Sequence, residues 1–101
     1  MIVAILDEMK AALRISRGNT VFDGEINDLI EAAKNDLRLS GASPAKTEDL
    51  TDPLIKRAVT VYCKANFGFD NPDSERLQAS YDSLKAHLTL SQEYTVEVTP
   101  S

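Results

Sequence analysis

The stretch DPLIKRAVTVYCKANFG, Asp52 to Gly68, carries the strongest structural signal in the chain. Asp52 can accept from the free N–H groups of a first helical turn, and Pro53 at the first helical position loses nothing by its missing N–H. Leu54, Ile55, Ala58, Val59, Val61, Tyr62 and Ala65 then cover more than half the circumference of the predicted helix. A face that wide belongs to a helix packed by neighbours on several sides, so this segment is read as the centre of the domain. Its polar remainder is basic: Lys56, Arg57 and Lys64.

Working outward, Gly68 permits a turn, and Asn71 with Pro72 repeats the start signal for a last helix. Leu77, Tyr81, Leu84 and Leu88 give that helix its stripe, and it ends near Leu90 or Ser91. Upstream, Ile26, Leu29, Ile30, Ala33 and Leu37 mark a helix over 23–40. Asp23 reads as its N-cap, Glu25 and Asp28 suit the positive end of its dipole, and Gly41 is a fitting stop. Ile2, Ile5, Leu6, Met9 and Leu13 predict a first helix over 2–15, broken by SRGNT with Gly18 and Asn19. The polar run GASPAKTEDLT, from Gly41 to Thr51, is read as a loop, either a solvated connector or a functional segment. The fold class is therefore all-α: a small four-helix domain over 1–91, in which the first helix braces the other three.

The tail EYTVEVTPS has a different period. Tyr94, Val96 and Val98 alternate with Thr95, Glu97 and Thr99, which is strand periodicity in β-favouring residues. No second strand is evident elsewhere, so residues 92–101 are either disordered or an extended arm that pairs with a sheet on another protein.

Composition narrows the function classes. A chain of 101 residues fits one small core, and 43% hydrophobic with 27% charged residues is an ordinary globular balance. Its six aromatic residues and lack of tryptophan leave a thin stability margin, for which a partner surface is one remedy. A net charge of −5 argues against a grip on nucleic-acid phosphates. The single cysteine excludes an internal disulfide and fits a reducing cytoplasm. MIVAILDEMKAALRIS lacks a basic leader and meets Asp7 and Glu8 at once, so it is not read as a signal peptide, and no segment has the length of a membrane span.

Candidate chemistry is sparse. Cys63 would need His87 as its base, yet it sits inside the most apolar helix, where an inert thiol is the usual outcome. His87 reads as surface or half-buried. One cysteine and one histidine make no zinc site, the acids lack calcium-loop spacing, and GFDNPD is no phosphate loop. No catalytic, metal or cofactor site is expected, and the chain is not read as an enzyme. Lys56, Arg57 and Lys64 could serve a small helical DNA-binding or regulatory module, which is the rival reading. Pairing with the acidic second helix, or simple solvation, is the plainer account of these three.

Three blocks together, LDEMKAALRIS, FDGEINDLIEAAKNDLRLSG and DPLIKRAVTVYCKANFGFDNPDSERLQASYDSLKAHLTLS, closely resemble the small head–tail connector, or adaptor, proteins of tailed bacteriophages, a family also labelled phage DNA-packaging proteins. The resemblance runs from Leu6 to Tyr94 and is most specific from Asp52 to Leu88, although Val61 stands where the family wording has leucine. It implies a four-helix adaptor, assembled in the host cytoplasm into the virion neck as a ring of about a dozen copies. Its implied partners are other copies of itself, the portal protein above and a stopper or tail-completion protein below, with DNA passing through the channel unbound. In that family the C-terminal segment attaches to the portal, which makes Tyr94, Val96 and Val98 the candidate portal-docking arm. Phe67 and Phe69, at the corner before the last helix, are expected to plug the core or contact the next subunit. An acidic balance suits a channel through which DNA slides without being held.

Overall fold

Asp52 caps as its sequence context requires: its Oδ1 accepts from the backbone N–H of Leu54 at 2.9 Å and of Ile55 at 3.2 Å. The structure, a computed structural model, describes residues 2–16, 18–68 and 71–90, with side chains from Ile5 onward. Those residues are all-α: α1 Ile2–Ala12, α2 Asp23–Leu39, α3 Pro44–Glu48, α4 Pro53–Asn66 and α5 Ser74–Leu90.

The wide apolar face does make α4 central. It buries Ile55, Ala58, Val59, Val61, Cys63 and Ala65, with α2 packed along one side and α5 along another. Phe22 at the entry of α2 meets Phe67 at the end of α4, and Tyr62 meets Tyr81 across the α4–α5 corner, so α2 and α5 both run opposite to α4. Ile26, Ile30, Ala33 and Leu37 complete the core from α2, Tyr81 and Leu88 from α5, and Ile5 and Met9 from α1. α1 makes fewer contacts and braces the bundle, as expected.

Four boundaries differ from the sequence reading, each for a local reason. The first helix stops at Ala12 rather than Ile15, because Arg14 adopts a left-handed conformation at φ 61°. Ile15 N–H then reaches Lys10 O at 2.7 Å and Arg14 N–H reaches Ala11 O at 3.1 Å, the paired bonds of a Schellman stop. α2 ends the same way, at Leu39: Gly41 has φ 114°, its N–H bonds Arg38 O, and Ala42 N–H bonds Leu37 O. Asp23 is not the N-cap of α2. That position falls to Phe22 without a side-chain bond, while the Asp23 carboxylate turns to the buried Lys10 of α1, 2.5 Å away. Neutralising a buried ammonium is worth more than one exposed cap bond, so the tertiary contact prevails.

The fourth difference is α3. Where the sequence predicts an unbroken loop, Ser43 is extended (φ −62°, ψ 132°) and Pro44 opens a short helix. Thr47, fully buried, accepts from Arg38 Nε at 2.8 Å and donates to Pro44 O at 3.0 Å, while Glu48 pairs with Lys34 and Arg38 of α2. α5 likewise opens at Ser74, just beyond the Asn-Pro signal. Asn71 Oδ1 accepts from Asp73 N–H, and Asn71 Nδ2 donates to Lys64 O at 2.6 Å, tying the corner to the end of α4.

Candidate functional site

The residues singled out by sequence fall into three groups. Phe67 is half-buried, packs on the core, and meets the Phe22 ring edge-on at 5.4 Å and 81°. Phe22 keeps 38% of its surface exposed, so this pair sits at the rim of the bundle. Phe69, and the arm residues Tyr94, Val96 and Val98, lie outside the described residues, as does the boundary between the helical domain and the arm.

Cys63 and His87 are not brought together as a dyad. Cys63 is wholly buried among the core side chains, and burial pushes its thiol up to about 12. His87 stands exposed on α5. A thiol that stays protonated at neutral pH, with no imidazole beside it, is a small core hydrophobe. Among the described residues no three of His, Cys, Asp and Glu gather as a metal site, and no helix is long and apolar enough to cross a membrane.

The basic strip of α4 is partly consumed. Lys56 pairs with Glu8 of α1 at 3.2 Å, not with α2 as the acidic sequence of α2 implied. Arg57 and Lys64 remain exposed. One free arginine and one free lysine on an acidic chain are a poor footing for the phosphate contacts of a DNA reader.

Two hollows among the described residues bear on the surface. The first, of about 420 Å³, lies between α1, α2 and the α3–α4 segment, with Ile5, Ile30 and Leu50 as its apolar lining. Its rim is an ion-pair lattice: Lys34 reaches Glu31 at 2.8 Å and Glu48 at 3.3 Å, and Arg38 closes on Glu48 as well. Burial works against the charge on Lys34, but the bonds to Glu31 and Glu48 outweigh it and raise its pKa. The hydrogen bond from Lys34 leads in holding the Glu48 carboxyl below its ordinary value. The second hollow, of about 380 Å³, opens where α1 and α4 end and α5 begins, and is bordered by Arg14, Lys64, Phe67 and Leu77. Sequence reading gave no sign of it, since its lining comes from three separate chain corners and no periodic stripe unites them.

Exposed apolar side chains complete the surface. Val21, in the turn before α2, is 81% exposed, and Leu39 and Leu90, the last residues of α2 and α5, are 88% and 86% exposed. Among the described residues, Cys63 and His87 are not set together as nucleophile and base.

A family model described as phage connector protein matches residues 5–95. No curated protein and no solved structure matches the chain. The match begins inside α1, takes in every later helix and ends beyond Leu90. The chain belongs to the phage connector protein family, whose members are structural components joining the head and tail parts of a phage.

Proposed function

We propose that this structural connector forms a closed ring in the virion neck, between the portal and the stopper or tail-completion protein. It lengthens the DNA channel and offers the surface on which the tail docks. A ring of about a dozen copies needs a contact that is not its own mirror, one face of a copy against a different face of the next, so that repetition closes on itself. The helical core supplies a rigid block, and residues 92–101 act as the arm that adds a strand to a sheet edge on the portal through Tyr94, Val96 and Val98. DNA passes through without specific contact, as the net charge of −5 favours.

The observation that carries this reading is the extent of the family match, which spans the whole helical bundle and runs past Leu90 to residue 95, so that Tyr94 lies within it. Electron microscopy of isolated virion necks tests the ring: a layer of copies of this chain against the portal is the expected result, and its absence there would sink the proposal. Deleting residues 92–101 tests the arm. Helical circular dichroism should stay near that of the full chain while portal binding is lost, and full-strength binding by the truncated protein would remove the arm from the account.

A further inference from the structure

Most charges on this chain are spoken for. Among the described residues, three cations, Arg14, Arg57 and Lys64, and three acids, Glu25, Asp28 and Glu75, have no ionic or hydrogen-bonded side-chain partner. Two of these cations meet in one place, since Arg14 and Lys64 both border the hollow of about 380 Å³ at the corner of α1, α4 and α5. Its apolar floor is Phe67 and Leu77, both half-buried. Asp73 also lines it and stands 3.5 Å from Arg76, so the hollow sets two cations against one carboxylate that is shared with a third. Arg14 holds its place in an unusual way, from a left-handed residue fixed by the backbone bonds that stop α1.

Two of the free acids also lie together. Glu25 and Asp28 are exposed on the first half of α2, on the side away from the buried Ile26 and Ile30. No α2 residue lines the hollow, so the two patches are separate on the molecule. They are nevertheless at the same end of it. Phe22, which enters α2, touches Phe67 in the floor of the hollow, and Glu25 and Asp28 follow within about two helical turns.

We infer that the hollow receives the acidic first half of α2 from a second copy of this chain, with Arg14 and Lys64 facing Glu25 and Asp28. This rests on the ring reading and names the contact that would build it. Opposite charges in two separate patches at one level of the bundle, each offered to a different neighbour, make a contact that is head-to-tail. Each copy offers its hollow to one neighbour and its α2 to the other, and the pattern repeats around an axis. A two-fold dimer through either patch alone would set like charge against like. Complementary charge of this kind sets register and partner choice, and the exposed Val21 at the same end adds apolar area to the contact.

The test is charge reversal in the full-length chain, read by sedimentation velocity over a concentration series with circular dichroism as the check on folding. Lys64→Glu and Asp28→Lys should each weaken self-association about tenfold or more, and the two together should restore most of it. Raising the salt should weaken the wild-type association in parallel. Wild-type protein that stays monomeric at every concentration overturns the contact. So do single reversals that associate like wild type, and so does a double reversal no better than the singles. If single reversals spare self-association but abolish portal binding, the hollow belongs to the portal and the inference fails. A ring seen in virion necks alongside single reversals that associate normally would leave the ring standing and overturn this interface alone.

Discussion

The Tyr81 hydroxyl donates to Asp36 Oδ2 over 2.6 Å, joining α5 directly to α2 although both helices pack chiefly on α4. Lys85 Nζ donates to the same oxygen at 3.1 Å and stands 5.3 Å from the Tyr81 ring centre, while Tyr62 meets that ring edge-on at 5.1 Å. Tyr81 is fully buried, and burial, then the bond to Asp36, pushes its phenol pKa far up, so it remains a donor at any working pH. One carboxylate thus ties α5 to α2, and the tyrosine it holds packs on Tyr62 of the central α4.

Replacing Tyr81 by Phe keeps the ring packing and deletes only the donor. A hydrogen bond to a charged acceptor is worth about 1.5–3 kcal/mol, and Lys85 continues to satisfy part of the carboxylate, so a loss of about 1–2 kcal/mol is expected. In a domain of this size that is a fall of roughly 4–8 °C in Tm per kcal/mol, measurable by thermal circular dichroism. A Tm within a degree of wild type would mean the Asp36 bond contributes nothing net.

The same carboxylate sets an acid limit. Desolvation opposes ionisation of Asp36, but the bonds from Tyr81 and Lys85 outweigh it and hold its pKa below 3.8. A depressed folded-state pKa means stability that is present above the unfolded value and lost as pH falls through the folded one. Urea melts of wild type should therefore weaken below about pH 4 more steeply than those of Asp36→Asn, which lacks the titrating group. Parallel curves for the two proteins would place the acid sensitivity elsewhere.

Glu48 fastens α3 rather than the whole domain. Its carboxylate is 59% exposed, and exposed pairs contribute only about 0–1 kcal/mol. Glu48→Gln should accordingly leave Tm within a few degrees of wild type. It should, however, speed amide hydrogen exchange over residues 44–51, the segment clamped to α2 by Lys34 and Arg38. Unchanged exchange there would show that Thr47 burial and the Pro44 turn hold α3 without the ion pairs.

How much of this was legible in the sequence depends on where each determinant lies. α4 could be read because cap, Pro and apolar face are all local, and Asp52 and Pro53 behave as their types dictate. α3 carried the same kind of signal in Ser43 and Pro44, but a helix of five residues has no period to detect, and its anchor is Arg38, nine residues from Thr47. Asp23 was misassigned because its partner Lys10 lies on another helix. The hollow beside Arg14 and Lys64 is written across three chain corners, so only the fold assembles it.

Arg14 and Gly41 occupy equivalent positions, each the left-handed residue after a helix, and their side chains differ where the physics would have them alike. A non-glycine residue at such an angle costs about 1–2 kcal/mol, partly offset by the entropy that glycine loses on folding. Arg14→Gly should therefore stabilise by roughly 0.5–1 kcal/mol. Gly41→Ala should destabilise by about 1 kcal/mol or more. The Gly41 penalty is purely one of backbone, since an added Cβ would meet nothing within 4 Å. If Arg14→Gly stabilises the monomer while weakening self-association, the strain at φ 61° is retained for the contact rather than for the fold. Urea denaturation of both variants decides the sign.

Cys63 supplies a check on the core as a whole. Its thiol is fully buried and held up to about 12, so in the native state almost no thiolate exists to react and no reagent can reach it. Labelling by an aromatic disulfide reagent should proceed only through opening of α4 from its neighbours, at a rate that follows global stability as urea is added. Cys63→Ala, the removal of one sulfur from a packed site, should cost about 1–2 kcal/mol. Rapid stoichiometric labelling of the folded protein at neutral pH would contradict the burial of Cys63, and with it the packing of α4 between α2 and α5 on which every surface described above depends.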